Sequence, residues 1–233
     1  MAGFEIPRAV LELYRFTSKE DARVNLQYIN IVKEKGSLGS VTATATDGHR
    51  FCHFSWPPHE KADYSGLPFD LLGAEARDIL ANSSRKRVVG TTTFSLALSK
   101  TPFVETSEGK RFLLSKKPDD AMDFPDWQQL KPQRLSERNP ISSQYPQVYG
   151  VDLDYFMDFS KFLKSIGSRP QVTFHYLGDQ VRFGPILIVP QYEGVGTIEY
   201  VVMPCRCSEA DKECSCIKKK LRGDKLNEIY QKT

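Results

Sequence analysis

Four cysteines, Cys205, Cys207, Cys214 and Cys216, fall within the twelve-residue run CRCSEADKECSC. Two Cys-x-Cys pairs offer four thiolates to a tetrahedral zinc, which would staple the turn between them. Reduced thiols and a disulfide are the competing readings, and the spacing is tighter than the usual Cys-x-x-Cys knuckle. No histidine lies near the cluster in sequence, so catalysis has no support there. Cys52, alone in the strand-like RFCHFSW, reads as a small apolar core side chain. The other group with chemical potential is Asp47-Gly48-His49-Arg50, a turn whose glycine suits a special backbone angle. No nucleophile, glycine-rich phosphate loop or paired carboxylates accompany it, so the expectation is recognition and not an enzyme.

The elements that must hold these residues belong to a folded chain. It has 233 residues, is 40% hydrophobic and carries a net charge of +3, from 32 Lys+Arg against 29 Asp+Glu. With charge so balanced, any nucleic-acid affinity must come from placement. No apolar run approaches the ~18 residues of a membrane span. The opening MAGFEIPRAVLELYRF lacks the pattern of a signal peptide, so a cytoplasmic location and no membrane partner are expected.

Three segments repeat the order helix, then strands. The first helix starts at Pro7 and runs to about Ser18, with Val10, Leu11 and Tyr14 apolar and Arg8, Glu12, Arg15 and Lys19 on another face. Strands follow at Val24–Lys33, Ser40–Thr46 and Arg50–Trp56; the Val/Ala–Thr alternation of 41–46 predicts one buried face. The second helix carries Leu72, Ala76, Ile79 and Leu80, with Asp70 as N-cap and Arg85, Lys86 and Arg87 at its close. Strands are expected at Val88–Leu98, Thr101–Thr106 and Arg111–Ser115. After a Pro-rich stretch, Asp152 caps a third helix bearing Phe156, Phe159, Leu163 and Ile166, which Gly167 stops. Strands at Gln171–Leu177, Val181–Val189 and Thr197–Met203 complete an α+β chain with mostly antiparallel sheet.

Three runs in this frame, ATATDGHRFCHFSW at 43–56, FPDWQQLKP at 124–132 and IEYVVMPCR at 198–206, resemble the bacterial DNA polymerase III beta sliding clamp family, and in its order. The resemblance implies the DNA-clamp fold: α-β-β-β half-units with sheet outside and helices facing a central hole. It implies a middle-type domain at 1–132, a linker at 133–148, the second half of a last-type domain at 149–206, and a Cys- and Lys-rich tail at 207–233 without counterpart.

The same resemblance implies a ring-forming processivity factor that encircles double-stranded DNA and tethers a DNA polymerase or other clamp-binding proteins, with a clamp loader as a further partner. Phosphate contacts would come from Arg8, Arg15 and Lys19, from Arg77, Arg85, Lys86 and Arg87, and from Lys161, Lys164 and Arg169. A partner peptide would enter a pocket of Thr46, Gly48, His49, Arg50, Phe51, Pro132, Val201, Met203, Pro204, Cys205 and Arg206, with His49 and Arg50 holding its polar end. Cys205 and Cys207 stand where the family places apolar residues. No cofactor is required beyond a structural zinc if the cysteines bind one. A ring of about six domains has about twelve half-units, so three per chain imply a homotetramer, and a hidden fourth would imply a trimer. The rival expectation is a clamp-like regulator or decoy that binds replication proteins without encircling DNA.

Overall fold

The computed structural model describes residues 3–34, 39–83, 93–118, 121–125, 149–169, 171–176, 185–203 and 205–206. The first unit comprises β1 (Phe4–Pro7), α1 (Arg8–Glu12), β2 (Tyr28–Lys33), β3 (Val41–Thr46) and β4 (Arg50–Trp56). The second comprises β5 (Phe69–Leu72), α2 (Gly73–Asn82), β6 (Thr93–Ala97), β7 (Phe103–Glu105) and β8 (Arg111–Leu113). The third comprises β9 (Tyr149–Gly150), α3 (Leu153–Ser165), β10 (Val172–Tyr176), β11 (Ile186–Pro190), β12 (Thr197–Val202) and β13 (Cys205–Arg206).

The first two units exchange their leading strands. β1 lies on β6 in the four-stranded sheet β1-β6-β7-β8, while β5 lies on β2. The third unit joins edge to edge: β12 pairs with β4, from Thr197↔Ser55 to Val202↔Arg50, giving the seven-stranded sheet β10-β11-β12-β4-β3-β2-β5. All these pairings are antiparallel, and β9 pairs separately with β13.

Local chemistry explains where the elements depart from expectation. Pro7 is the last extended residue (ψ 150°), so α1 begins at Arg8 and tightens into a 3₁₀ turn at Leu13–Phe16. Thr17 turns extended there, its hydroxyl bonding the Tyr14 carbonyl at 2.9 Å. Asp70 is no cap: it sits in β5, accepts from Asn30 Nδ2 at 2.7 Å and pairs with Lys117 at 3.2 Å, while α2 starts after Leu72. Helix α2 ends at Asn82, short of Arg85, Lys86 and Arg87, which lie outside the described residues. In β3 the threonines are buried along with the alanines, because the strand is flanked by β2 and β4. Their hydroxyls find partners: Thr44 Oγ1 lies 2.8 Å from His53 Nδ1, and Thr46 donates to the Arg50 carbonyl at 2.7 Å.

The third helix has the ends its sequence implies. Asp152 accepts from the Asp154 N–H at 2.8 Å, and Gly167 at φ +74° ends the element. One apolar core runs between helices and sheets through all three units. Its aromatic centre joins the first unit to the third: Phe16 meets Phe162 at 5.4 Å and Tyr200 at 5.3 Å, and Tyr200 stacks on Phe159 at 4.3 Å. Ring pairs of this kind add roughly 0.5–1.5 kcal/mol each beyond the area they bury. Cys52 is fully buried in this core, and burial pushes its thiol pKa well up.

Candidate peptide pocket and helix face

Side chains alternate across the junction sheet. On β4, Cys52, Phe54 and Trp56 point to the helices, which leaves Phe51 on the outer face. Register sets Phe51 opposite Val201, and Val201 opposite Leu187. These three are buried in a second, smaller apolar cluster, against which Phe124 and Val189 pack. Phe124 starts the FPDW run; its segment is tied down where Asn25 Nδ2 reaches the Asp123 carbonyl at 3.4 Å. Met203, the residue after β12, is 41% exposed.

The Asp47–Arg50 turn closes one end of this patch. Asp47 Oδ1 accepts the N–H groups of His49 (3.0 Å) and Arg50 (3.1 Å), and the Gly48 N–H donates to Thr46 Oγ1 at 3.0 Å. Gly48 sits at φ +90°, a backbone angle that a Cβ would strain. The Met203 N–H then donates to the His49 carbonyl at 2.9 Å, clamping the end of β12 onto the turn.

Arg50 serves the interior. Its Nε pairs with Asp47 at 2.9 Å, and its Nη2 donates to Asp158 of α3 at 3.0 Å and to the Arg15 carbonyl at 3.2 Å. The guanidinium centre also lies 4.5 Å from the Tyr155 ring and 5.4 Å from that of Phe16. Burial alone would lower its pKa; Tyr200, Asp47 and Asp158 outweigh burial and raise it. Burial in turn raises the Tyr200 phenol, against the opposing pull of Arg50. At the turn, Gly48 and His49 are what solvent meets.

Thus the structure brings Thr46, Gly48, His49, Phe51, Val201 and Met203 together and turns the Arg50 side chain inward. Pro132 and Pro204 lie outside the described residues, as do Cys207, Cys214 and Cys216; Cys205 and Arg206 are described by backbone alone. Leu187, Val189 and Phe124 escaped the sequence reading. The apolar run Ile-Leu-Ile-Val was there at 186–189, but an unbroken run does not say which face would be sealed.

The basic residues of the helices divide by environment. Glu12 is 2% exposed and holds two guanidinium groups, Arg8 at 3.2 Å and Arg15 at 2.9 Å. Lys19 and Lys164 are exposed. Arg77 lies 3.5 Å from Asp78, Lys161 3.6 Å from Asp158 and Arg169 3.6 Å from Glu193. Cations and acids therefore share this face.

No protein-family model and no curated protein matches the sequence. Solved structures do. The Caulobacter crescentus beta sliding clamp superposes with TM-score 0.58 at 20% identity, over 89% of this chain and 66% of that one. The DNA polymerase sliding clamp of Bacillus subtilis gives 0.59 at 15% identity, over 88% and 64%. The Bartonella birtlesii sliding clamp bound to griselimycin gives 0.57 at 19%, over 88% and 66%. The chain has the sliding-clamp fold. It spans slightly less than two thirds of the length of these clamps. Within that fold, the first two units exchange their leading strands, and the third unit joins them through the β12–β4 pairing. Among the described residues, no helix of this shortened clamp fold is long and apolar enough to cross a membrane.

Proposed function

We propose that this chain is a DNA sliding clamp: a ring-forming, non-enzymatic processivity factor that surrounds duplex DNA and tethers a polymerase or other clamp-binding proteins in the cytoplasm. One observation carries the reading. The Met203–His49 hydrogen bond and the β12–β4 ladder weld the Asp47–Arg50 turn to β12. Beside this junction lies the apolar cluster of Phe51, Leu187 and Val201, with half-buried Phe124 and Val189 packed on it and Met203 exposed. A peptide with a glutamine and two or three apolar side chains would suit such a surface: Phe124 and Val189 supply area, the methionine adapts, and exposed His49 offers the polar contact. Arg50 shapes the turn from within.

On the helix side, Arg8, Arg15, Lys19, Arg77, Lys161, Lys164 and Arg169, with Arg85–Arg87, would make weak phosphate contacts. Weak contacts suffice, because a closed ring is retained by topology. A clamp loader would open it. A structural zinc on Cys205, Cys207, Cys214 and Cys216 is a separate proposal, tested by metal content of the purified chain.

The test is retention on DNA. Chain assembled on closed circular plasmid should stay bound through high-salt filtration and escape once the plasmid is cut to a linear form. Equal loss from both forms would overturn encirclement and favour the non-encircling regulator.

A further inference from the structure

The first two units show how this fold completes a domain. Their helices pack side by side, and each unit lends the strand before its helix to the free edge of the other's sheet: β1 onto β6, β5 onto β2. The helix-side residues of those strands are sealed, with Ile29, Ile31 and Leu96 at 0% exposure.

The third unit lacks this completion among the described residues. β10 occupies the position of β2 and β6, yet it ends the seven-stranded sheet, with no described strand on its outer edge. Phe174 shares the helix-side face with fully buried Ile188, its register partner, but is itself 50% exposed. Among the described residues, its ring meets the flank of α3 at Phe156, 6.1 Å away. Leu153 and Met157 stand three residues before and one after Phe156, so all three share one stripe of the helix. They are 68% and 51% exposed. The opposite flank of α3 is the one that reaches the first unit, through Asp158 and Arg50.

We propose that a second copy of this chain covers this face with its own third unit, about a two-fold axis. Such an axis sets the same patch against itself, here the apolar side chains of Leu153, Met157 and Phe174. The two α3 helices would run antiparallel, which sets Asp154 near the start of one against Lys164 near the end of the other. β9 is paired on one side by β13, leaving its other side to add to the second copy's β10, as β1 and β5 do within the chain. The pairing needs no DNA. It rests on the clamp reading in one respect alone: two such pairs, joined again elsewhere, would supply the twelve or so half-units of a ring.

The experiment is light scattering on a sizing column, with the full chain over a range of concentrations. The wild type should have an even multiple of the 26.5 kDa chain mass. The exposed-face double variant Leu153→Glu/Met157→Glu should halve that mass while keeping the wild-type circular dichroism spectrum. The β10 amides should also gain hydrogen-exchange protection as concentration rises. A monomeric wild type, a trimer, or a variant of unchanged mass would each overturn the pairing. An even mass combined with failure to stay on circular DNA would instead sink the clamp reading and leave the pairing standing.

Discussion

The guanidinium of Arg50 lies 3.0 Å from the carboxylate of Asp158, so the turn after β3 and the helix of the third unit are bonded directly. Arg50 is 7% exposed at its side chain and Asp158 30%, and the same guanidinium holds Asp47. Removing one partner of a pair this buried strands the other. Arg50→Ala should therefore cost about 3–5 kcal/mol, measured by urea unfolding. Asp158→Asn, which keeps a hydrogen-bond acceptor, should cost about 1 kcal/mol. No loss of stability in Asp158→Asn would show that the coupling is of no consequence.

Met203 is anchored by its backbone while its side chain is exposed. Met203→Ala should leave stability within about 0.5 kcal/mol, as for a surface change. It should weaken binding of a glutamine-containing apolar peptide by about tenfold in calorimetry, a difference of roughly 1.4 kcal/mol. Phe51→Ala removes a buried ring and should lower both stability and peptide affinity. Peptide binding untouched by Met203→Ala would move the tethering site elsewhere.

How much of this could be read in the sequence depends on which residues are asked. Asp152 and Gly167 bound α3 because capping chemistry is local, and β4 runs from Arg50 to Trp56 as its pattern implies. β1 and β5 leave no such mark. They are four-residue strands that owe their conformation to sheet edges in another unit, so no local periodicity signals them. Spacing alone puts Glu12 on a charged face; the packing of α1 between α2 and α3 buries it, and two arginines make that tolerable. The candidate site was legible in its turn and in the end of β12, Thr46–Phe51 and Val201–Met203. It was illegible in Leu187 and Phe124, which reach it only through register and tertiary packing.

Cys52 makes alkaline stability a probe of the core. Its thiol titrates near 9.0 when free and well above that when buried, so in strong base the unfolded chain loses a proton that the native chain keeps. The stabilisation is complete below the unfolded value and is lost as pH climbs past about 9 toward the raised folded value. Tyr200, Tyr192 and Tyr28, raised chiefly by burial, extend the decline above pH 10. Cys52→Ala should lower stability at pH 7 by roughly 1 kcal/mol. It should also flatten the pH 8.5–10 decline by up to about 1.4 kcal/mol per pH unit. An unchanged slope would mean that the thiol titrates freely.

Lys164 and Arg15 test the helix face differently, because their environments differ. Arg15 supports Glu12, which is 2% exposed, so Arg15→Ala should destabilise the chain by about 1–3 kcal/mol and is a poor reporter of DNA binding. Lys164 is exposed and caps the favourable end of α3, where a cation is worth about 0.3–1 kcal/mol. Lys164→Gln should thus keep the fold. If Lys164 meets a phosphate, affinity for a short duplex should fall, and the slope of log K against log salt should shallow by about 0.9 for each phosphate no longer neutralised. Retention on closed circular DNA should be unaffected, since topology and not charge holds a ring there. A variant that lost both together would show that this protein grips DNA by its charges, and that encirclement contributes nothing.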